Sequence, residues 1–316
     1  MNIGREHPCL SGPGGELAFF AALPPLVFFF FFFFFSAGRA HGAGPLDKKN
    51  PGSGNRGLTL MAGYDPGYLS YKEQENGGTL DRDYGYINSV HIQARLENKA
   101  VWARLTADFS WARNASYDGA IQDLEGRLTP YKSSTHEKIY LYEGDIGFKL
   151  FNIRTSTLTP YAGIGYRIWW RGADELPDYI EKYTWYFASA GFNYVWRTGR
   201  TTAGLDVAAH FPFDMKMTTN MAGMFDQTGF SLKKRVGFGA RLPFTYEVYG
   251  RHSKKSRLFL FLTPYYQFWP VGGSAQVALT RNGPPLLSPG GAQLTAREPD
   301  SRTDVYGADA GVGVNF

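Results

Sequence analysis

Thr303–Phe316, TDVYGADAGVGVNF, is the stretch whose reading decides the fold. Tyr306, Ala308, Ala310, Val312, Val314 and Phe316 share one parity. Val305, Gly307, Asp309, Gly311, Gly313 and Asn315 share the other. Successive strand side chains point to opposite faces. The stretch therefore reads as a strand with one apolar face and one small or polar face.

Working outward, the same period of two recurs and predicts about ten strands. The first lies near 57–72, with Leu58, Leu60, Ala62 and Tyr64 on one face. The second lies near 84–97, where Val90, Ile92, Ala94 and Leu96 oppose His91, Gln93, Arg95 and Glu97. In the third, near 100–116, Ala103, Leu105, Ala107 and Phe109 oppose Trp102, Arg104, Thr106 and Asp108. The fourth, near 138–151, sets Tyr140, Tyr142 and Ile146 against Leu141, Glu143, Asp145 and Lys149. The fifth, near 157–171, sets Ile164, Tyr166 and Ile168 against Gly165, Arg167 and Arg171. The sixth and seventh are expected near 182–196 and 201–214, the latter with Asp206, His210 and Asp214 on its polar face. The eighth, near 229–247, sets Val236, Phe238 and Ala240 against Lys233, Arg235, Gly239 and Arg241. The ninth lies near 257–271 and the tenth is the closing strand. Polar segments at 117–137, 172–181, 215–228 and 272–302 read as long connections, whereas those at 98, 152 and 197 are tight.

This alternation of short and long connections is the habit of outer-membrane barrels, with short periplasmic turns and longer external loops. A soluble β-sandwich has no reason to alternate them. Trp111, Trp169, Trp170, Trp185, Trp196 and Trp269 fall near strand ends, as interface girdles do. The expected class is all-β: a transmembrane, antiparallel, up-and-down β-barrel spanning residues 57–316, in the outer membrane of a Gram-negative bacterium. The closing strand resembles the terminal assembly signal of that class, and the resemblance implies that insertion machinery reads Tyr306, Val312, Val314 and Phe316.

Composition agrees. The 316 residues hold 25 Phe, 20 Tyr and 38 Gly but are only 43% hydrophobic, which suits strands apolar on one side. The net charge of +5 contains no block that marks a nucleic-acid stripe, so no nucleic-acid partner is expected. A mild basic excess suits outer-membrane lipid and anionic lipopolysaccharide as surroundings. The single cysteine, Cys9, precedes an apolar run that ends in eight consecutive Phe, Phe28–Phe35. Ser36, Ala37, Gly38 and Ala40 follow, so residues 1–40 read as a secretory signal and 41–56 as a flexible segment.

Parity assigns the apolar set to lipid and the polar set to the lumen. The candidate lumen network is Arg95, Arg104, Asp108, Glu143, Asp145, Lys149, Arg167, Arg171, Asp206, His210, Arg235, Arg241 and Asp309. Ten strands make a narrow barrel, and long arginines opposite carboxylates fill it. The expected role is a non-enzymatic surface, structural or loop-mediated binding protein. A small porin passing ions or small solutes is the alternative. No cofactor, metal or catalytic residue is expected. His210 is roughly 13 Å along its strand from Asp206 and from Asp214, so neither orients it. His91 and Glu97 are similarly separated, and His136 and Glu137 point apart. No outer carboxylate pair stands out as a shared-proton dyad, and no GxSxG, HExxH or Walker-type loop is present.

With ten strands in place, Leu58-Thr-Leu-Met-Ala-Gly-Tyr64 and Phe187-Ala-Ser-Ala-Gly-Phe-Asn-Tyr194 resemble strands of the omptin family of outer-membrane proteases. Small opacity- and adhesion-type barrels are resembled equally. The omptin resemblance implies the fold and, as a further alternative, a divergent rim hydrolase. That family's catalysis uses a rim aspartate pair facing an Asp-x-His element. This sequence has no Asp-x-His and no matching aspartate pair before Leu58.

Overall fold

The computed structural model describes residues 57–75, 77–122, 128–153, 155–173, 176–221, 224–249 and 256–316. The segments read as signal (1–40) and flexible leader (41–56) lie outside the described residues. Ten antiparallel strands follow in chain order: β1 Gly57–Glu75, β2 Gly78–Glu97, β3 Val101–Gln122, β4 Leu128–Phe148, β5 Ser156–Ala173, β6 Leu176–Thr198 and β7 Thr201–Met221. β8 runs in three pieces, Phe225–Lys234, Gly237–Arg241 and Phe244–Tyr249, and is followed by β9 Arg257–Ser274 and β10 Asp300–Asn315. Each strand pairs with the next, and β10 closes on β1 with Thr59 opposite Asn315 and Gln74 opposite Asp300. The sheet is a closed up-and-down barrel with no free edge.

The strands are longer than the periodicity implies. Three of the four segments read as long connections, 117–137, 172–181 and 215–228, are largely strand. β6 alone has 23 residues, about twice the 9–11 that cross a membrane. The outer wall shows where the extra length lies. Its apolar band ends at rows of aromatic rings: Tyr306, Tyr68 and Tyr86 side by side on β10, β1 and β2, Tyr140 with Trp170, and Tyr186 with Phe213. Beyond that row the outward positions are charged, with Arg302, Lys72 and Arg82 in register. The rings mark an interface, and the barrel projects past it on the side of the long connections.

Two sequence readings of the wall are corrected. Trp169, Trp185 and Trp269 are not girdle residues; they are at most 1% exposed and fill the lumen. Only Trp111, Trp170 and Trp196 face outward. The parity also fails to run unbroken, because three irregularities reset it. One lies between Ala112 and Ala115 in β3. One centres on Asp214 in β7, with φ 51, so Asp214 leaves the His210 face and pairs with Lys216 in solvent at 2.9 Å. The third separates the first two pieces of β8. Phe230 and Leu232 point inward before it and Gly237 after it, which turns Lys233 and Arg235 outward.

The β9–β10 connection is ordered. Val277 and Ala278 pair with Ala296 and Thr295. Asp226 at the outer end of β8 accepts hydrogen bonds from Thr280 Oγ1 (2.8 Å) and from the amides of Asn282 and Gly283 (2.9 Å each). Those bonds, the Gly283 amide first, hold the Asp226 carboxyl below the usual range. They also fasten a turn whose Asn282 and Gly283 have positive φ. Asp226→Ala is expected to speed hydrogen exchange at these two amides and leave barrel melting unchanged, because an exposed turn opens independently of the sheet.

Candidate functional site: the filled lumen and its outer acidic chamber

The lumen is crossed by side chains that meet from opposite walls. In the middle belt Arg104 of β3 donates to Asp145 of β4 at 2.9 Å and, across the barrel, to Asp206 of β7 at 2.5 Å. Tyr161 also donates to Asp206, at 2.5 Å, and Ser189 donates to Asp145 at 3.1 Å. Arg241 of β8 reaches Asp108 of β3 at 3.3 Å, and His91 Nδ1 lies 2.5 Å from the same carboxylate. His91 Nε2 faces Asp309 at 3.8 Å, and His210 Nε2 faces Glu143 at 3.8 Å. Buried ions need this pairing, since desolvating each costs several kcal/mol.

Above the belt is an aromatic layer. Tyr71 of β1 and Tyr183 of β6, half the ring apart, bring their hydroxyls to 3.4 Å. Trp169 stacks on Tyr183 at 5.0 Å, Trp269 packs on Trp185 and Phe187 at 5.8 and 5.2 Å, and His210 stacks on Trp269 at 4.6 Å. Arg167 lies in this layer, 1% exposed, over the rings of Trp185 and Trp269 at 5.2 and 4.8 Å. Two small cavities in and beside the belt have volumes of about 30 Å³ each, room for isolated waters.

The outer chamber, beyond the aromatic rows, is the site that sequence reading missed. Arg171 of β5 is held by Asp83 at 2.8 and 2.5 Å, Glu181 at 2.7 Å and Glu73 at 3.4 Å. Tyr71 donates to Glu73 and Trp169 Nε1 to Glu137, each at 2.6 Å. Tyr183 donates to Glu298 at 2.6 Å, and Tyr117 donates to Asp81 at 3.2 Å. Six carboxyl groups thus surround one guanidinium, and burial raises five of them: Glu73, Asp81, Asp83, Glu137 and Glu298. Burial, then Glu181, pushes Glu298 up to about 8. Burial pushes Asp81 up to about 6. Burial also holds Glu73 and Glu137 well above the usual range, with Asp81 and Asp83 respectively as their next causes. Burial raises Asp83 as well, against the opposing pull of Arg171. Asp83 and Glu137 are 0% exposed, so the chamber as folded is a locked, proton-holding plug. Among the described residues no group of three or more His, Cys, Asp or Glu is arranged to hold a metal ion.

The candidate residues thus fall in different places. Arg104, Asp108, Glu143, Asp145, Asp206, His210, Arg241 and Asp309 meet in the belt. Arg95 pairs with Glu97 at 2.8 Å nearer the short turns. Lys149, just past β4, donates to the Asn98 carbonyl at 2.7 Å. Arg171 belongs to the outer chamber. Arg235 is outside the lumen: its side chain is 48% exposed and pairs with Asp300 on the outer wall. The His91–Asp108 contact escaped sequence reading because it depends on the register of β2 against β3, which sets these two residues directly opposite each other. The chamber carboxyls escaped it because Glu73, Asp81 and Glu298 lie in or beside segments read as connections.

No family model matches this chain, and no curated protein matches it. Among solved structures it resembles the outer-membrane protease OmpT of Escherichia coli, at TM-score 0.53 and 8% identity, over 84% of this chain and 97% of that one. The translocator domain of the autotransporter NalP of Neisseria meningitidis gives TM-score 0.40 and 10% identity, over 89% and 91%. OprG of Pseudomonas aeruginosa gives 0.35 and 12%, over 83% and 96%. At such identities the OmpT likeness speaks for the fold alone. A closed up-and-down barrel, apolar outside and charged within, is the outer-membrane architecture, and it places the chain in the outer membrane of a Gram-negative bacterium.

Proposed function

We propose that this chain is a sealed, non-enzymatic outer-membrane barrel that works through its outer surface and the connections displayed there. The observation that carries this reading is the set of side-chain contacts spanning the lumen: Arg104–Asp206, Arg241–Asp108 and Tyr71–Tyr183. Each ties walls four or five strands apart, and a solute path would have to break all three. In this reading the outward residues Tyr306, Val312, Val314 and Phe316 of β10 serve its insertion, and lipid, including lipopolysaccharide, covers the wall.

Refolded protein in planar bilayers is expected to show no unitary conductance steps. The doubly truncated Trp185→Ala/Trp269→Ala variant, with its folded state checked by heat-modifiable migration, is expected to remain silent while the charged belt persists. Steady, ion-selective openings from the unmodified protein would replace this reading with a small porin.

A further inference from the structure

We propose that the vestibule at the short-turn end of the barrel binds a small multivalent anion through carboxylate or phosphate groups. The cavity there has a volume of about 300 Å³, ten times that of either inner cavity. Its lining holds six arginines, Arg95, Arg104, Arg197, Arg200, Arg241 and Arg257, against four carboxylates. Arg104, Asp206 and Arg241 of the charged belt line its inner end.

Two observations say that an acceptor belongs in it. Arg95 and Arg104 stand directly opposite each other across β2 and β3. Arg95 is paired with Glu97, Arg104 with Asp145 and Asp206, Arg241 with Asp108 and Arg257 with Glu247, so the cationic excess of the vestibule lies on Arg197 and Arg200. Trp102 lies between Arg95 and Arg104, each guanidinium 5.2 Å from its ring. Its Nε1 is buried with no hydrogen-bond partner, in a residue 1% exposed, and Arg95 Nε is in the same state. Buried donors without acceptors are costly and rare. Finally, Arg197 and Arg200 at the β6–β7 turn edge the cavity, and among the described residues neither forms an ion pair within 4.0 Å, Arg197 acting on the Glu97 carboxylate only from further off. Asn193, whose Oδ1 is unmet, offers an acceptor to a ligand hydroxyl. The sequence before β1 does not supply the anion, since residues 41–56 hold Lys48, Lys49 and Arg56 against Asp47 alone. The inference does not depend on the sealed-barrel reading.

The test is calorimetric titration of the folded barrel, in zwitterionic detergent, with citrate and separately with pyrophosphate. Saturable binding of one ligand per barrel is expected. Arg197→Gln/Arg200→Gln, which alters only exposed turn side chains, is expected to weaken it at least about ten-fold. Lys132→Gln/Lys182→Gln, at the other end, serves as the control for bulk charge and should bind as the unmodified protein does. Binding of citrate only assigns the site to carboxylates, and binding of pyrophosphate only assigns it to phosphates. Saturable binding of neither, or equal binding by the turn variant, overturns the proposal.

Discussion

Arg171→Met is expected to destabilise the folded barrel by roughly 3–5 kcal/mol, the usual result of removing one partner from a buried ion network. Arg171 pairs with Glu73, Asp83 and Glu181. Asp81, Glu137 and Glu298 complete the carboxyl set, with Tyr71, Tyr117 and Tyr183 as the facing hydroxyls. Methionine keeps much of the volume and removes the charge, so the loss reports electrostatics more than packing. Arg171→Lys restores charge without the forked geometry that grips Asp83 twice, and should recover only part of the loss. Urea midpoints read from the folded and unfolded gel bands measure both.

The same chamber sets a pH dependence with a definite sign. Glu298 is raised from 4.5 to about 8, and Asp81 from 3.8 to about 6. A carboxyl raised on folding holds its proton more tightly in the folded state, so its contribution is present at low pH. It is lost as pH climbs from the unfolded value through the folded one. Stability of the unmodified barrel should therefore fall between about pH 4.5 and pH 8 and level off above. In Arg171→Met the fall should be steeper, because the carboxylates formed then lack the Arg171 charge. A midpoint that rises across this window would contradict the assignment of retained protons.

Gly311→Val is expected to abolish or nearly abolish the heat-modifiable folded form. A Cβ on Gly311 would lie 2.1 Å from the Ala62 carbonyl oxygen and 2.6 Å from Gly63 Cα. Both are backbone atoms of β1, and Gly63 is the registered partner of Gly311 in the closing seam. A flexible side chain could swing away; paired backbone cannot. Overpacking ordinarily costs about 1–3 kcal/mol, and here the displaced element is the strand pair that closes the sheet. Gly311→Ala carries the same Cβ and should show a smaller share of the defect. Gly78→Ala at an outer hairpin, where the nearest atom is 3.6 Å away, should fold normally. If Gly311→Val folded to the same extent as Gly78→Ala, the tight approach of β10 to β1 would be wrong.

The alternation of side chains by itself determined that this chain is a barrel of about ten strands, with its apolar face outward. That pattern is local: Leu60, Ala62 and Tyr64 declare their side of β1 without reference to any other strand. For the same reason Arg104, Asp206 and Asp309 could be read as inward-facing. Only the tertiary structure decided whom they meet, because a partner across the lumen depends on closure and register, which couple residues about a hundred positions apart, as in Arg104–Asp206. It also decided where parity breaks. A bulge at Asp214 or a gap in β8 leaves no mark in the alternation on either side, and so Arg235 reads inward and stands outside. The outer chamber stayed hidden because its wall is polar on both faces above the membrane. Without lipid on one side, the hydrophobic contrast that reveals a strand is gone.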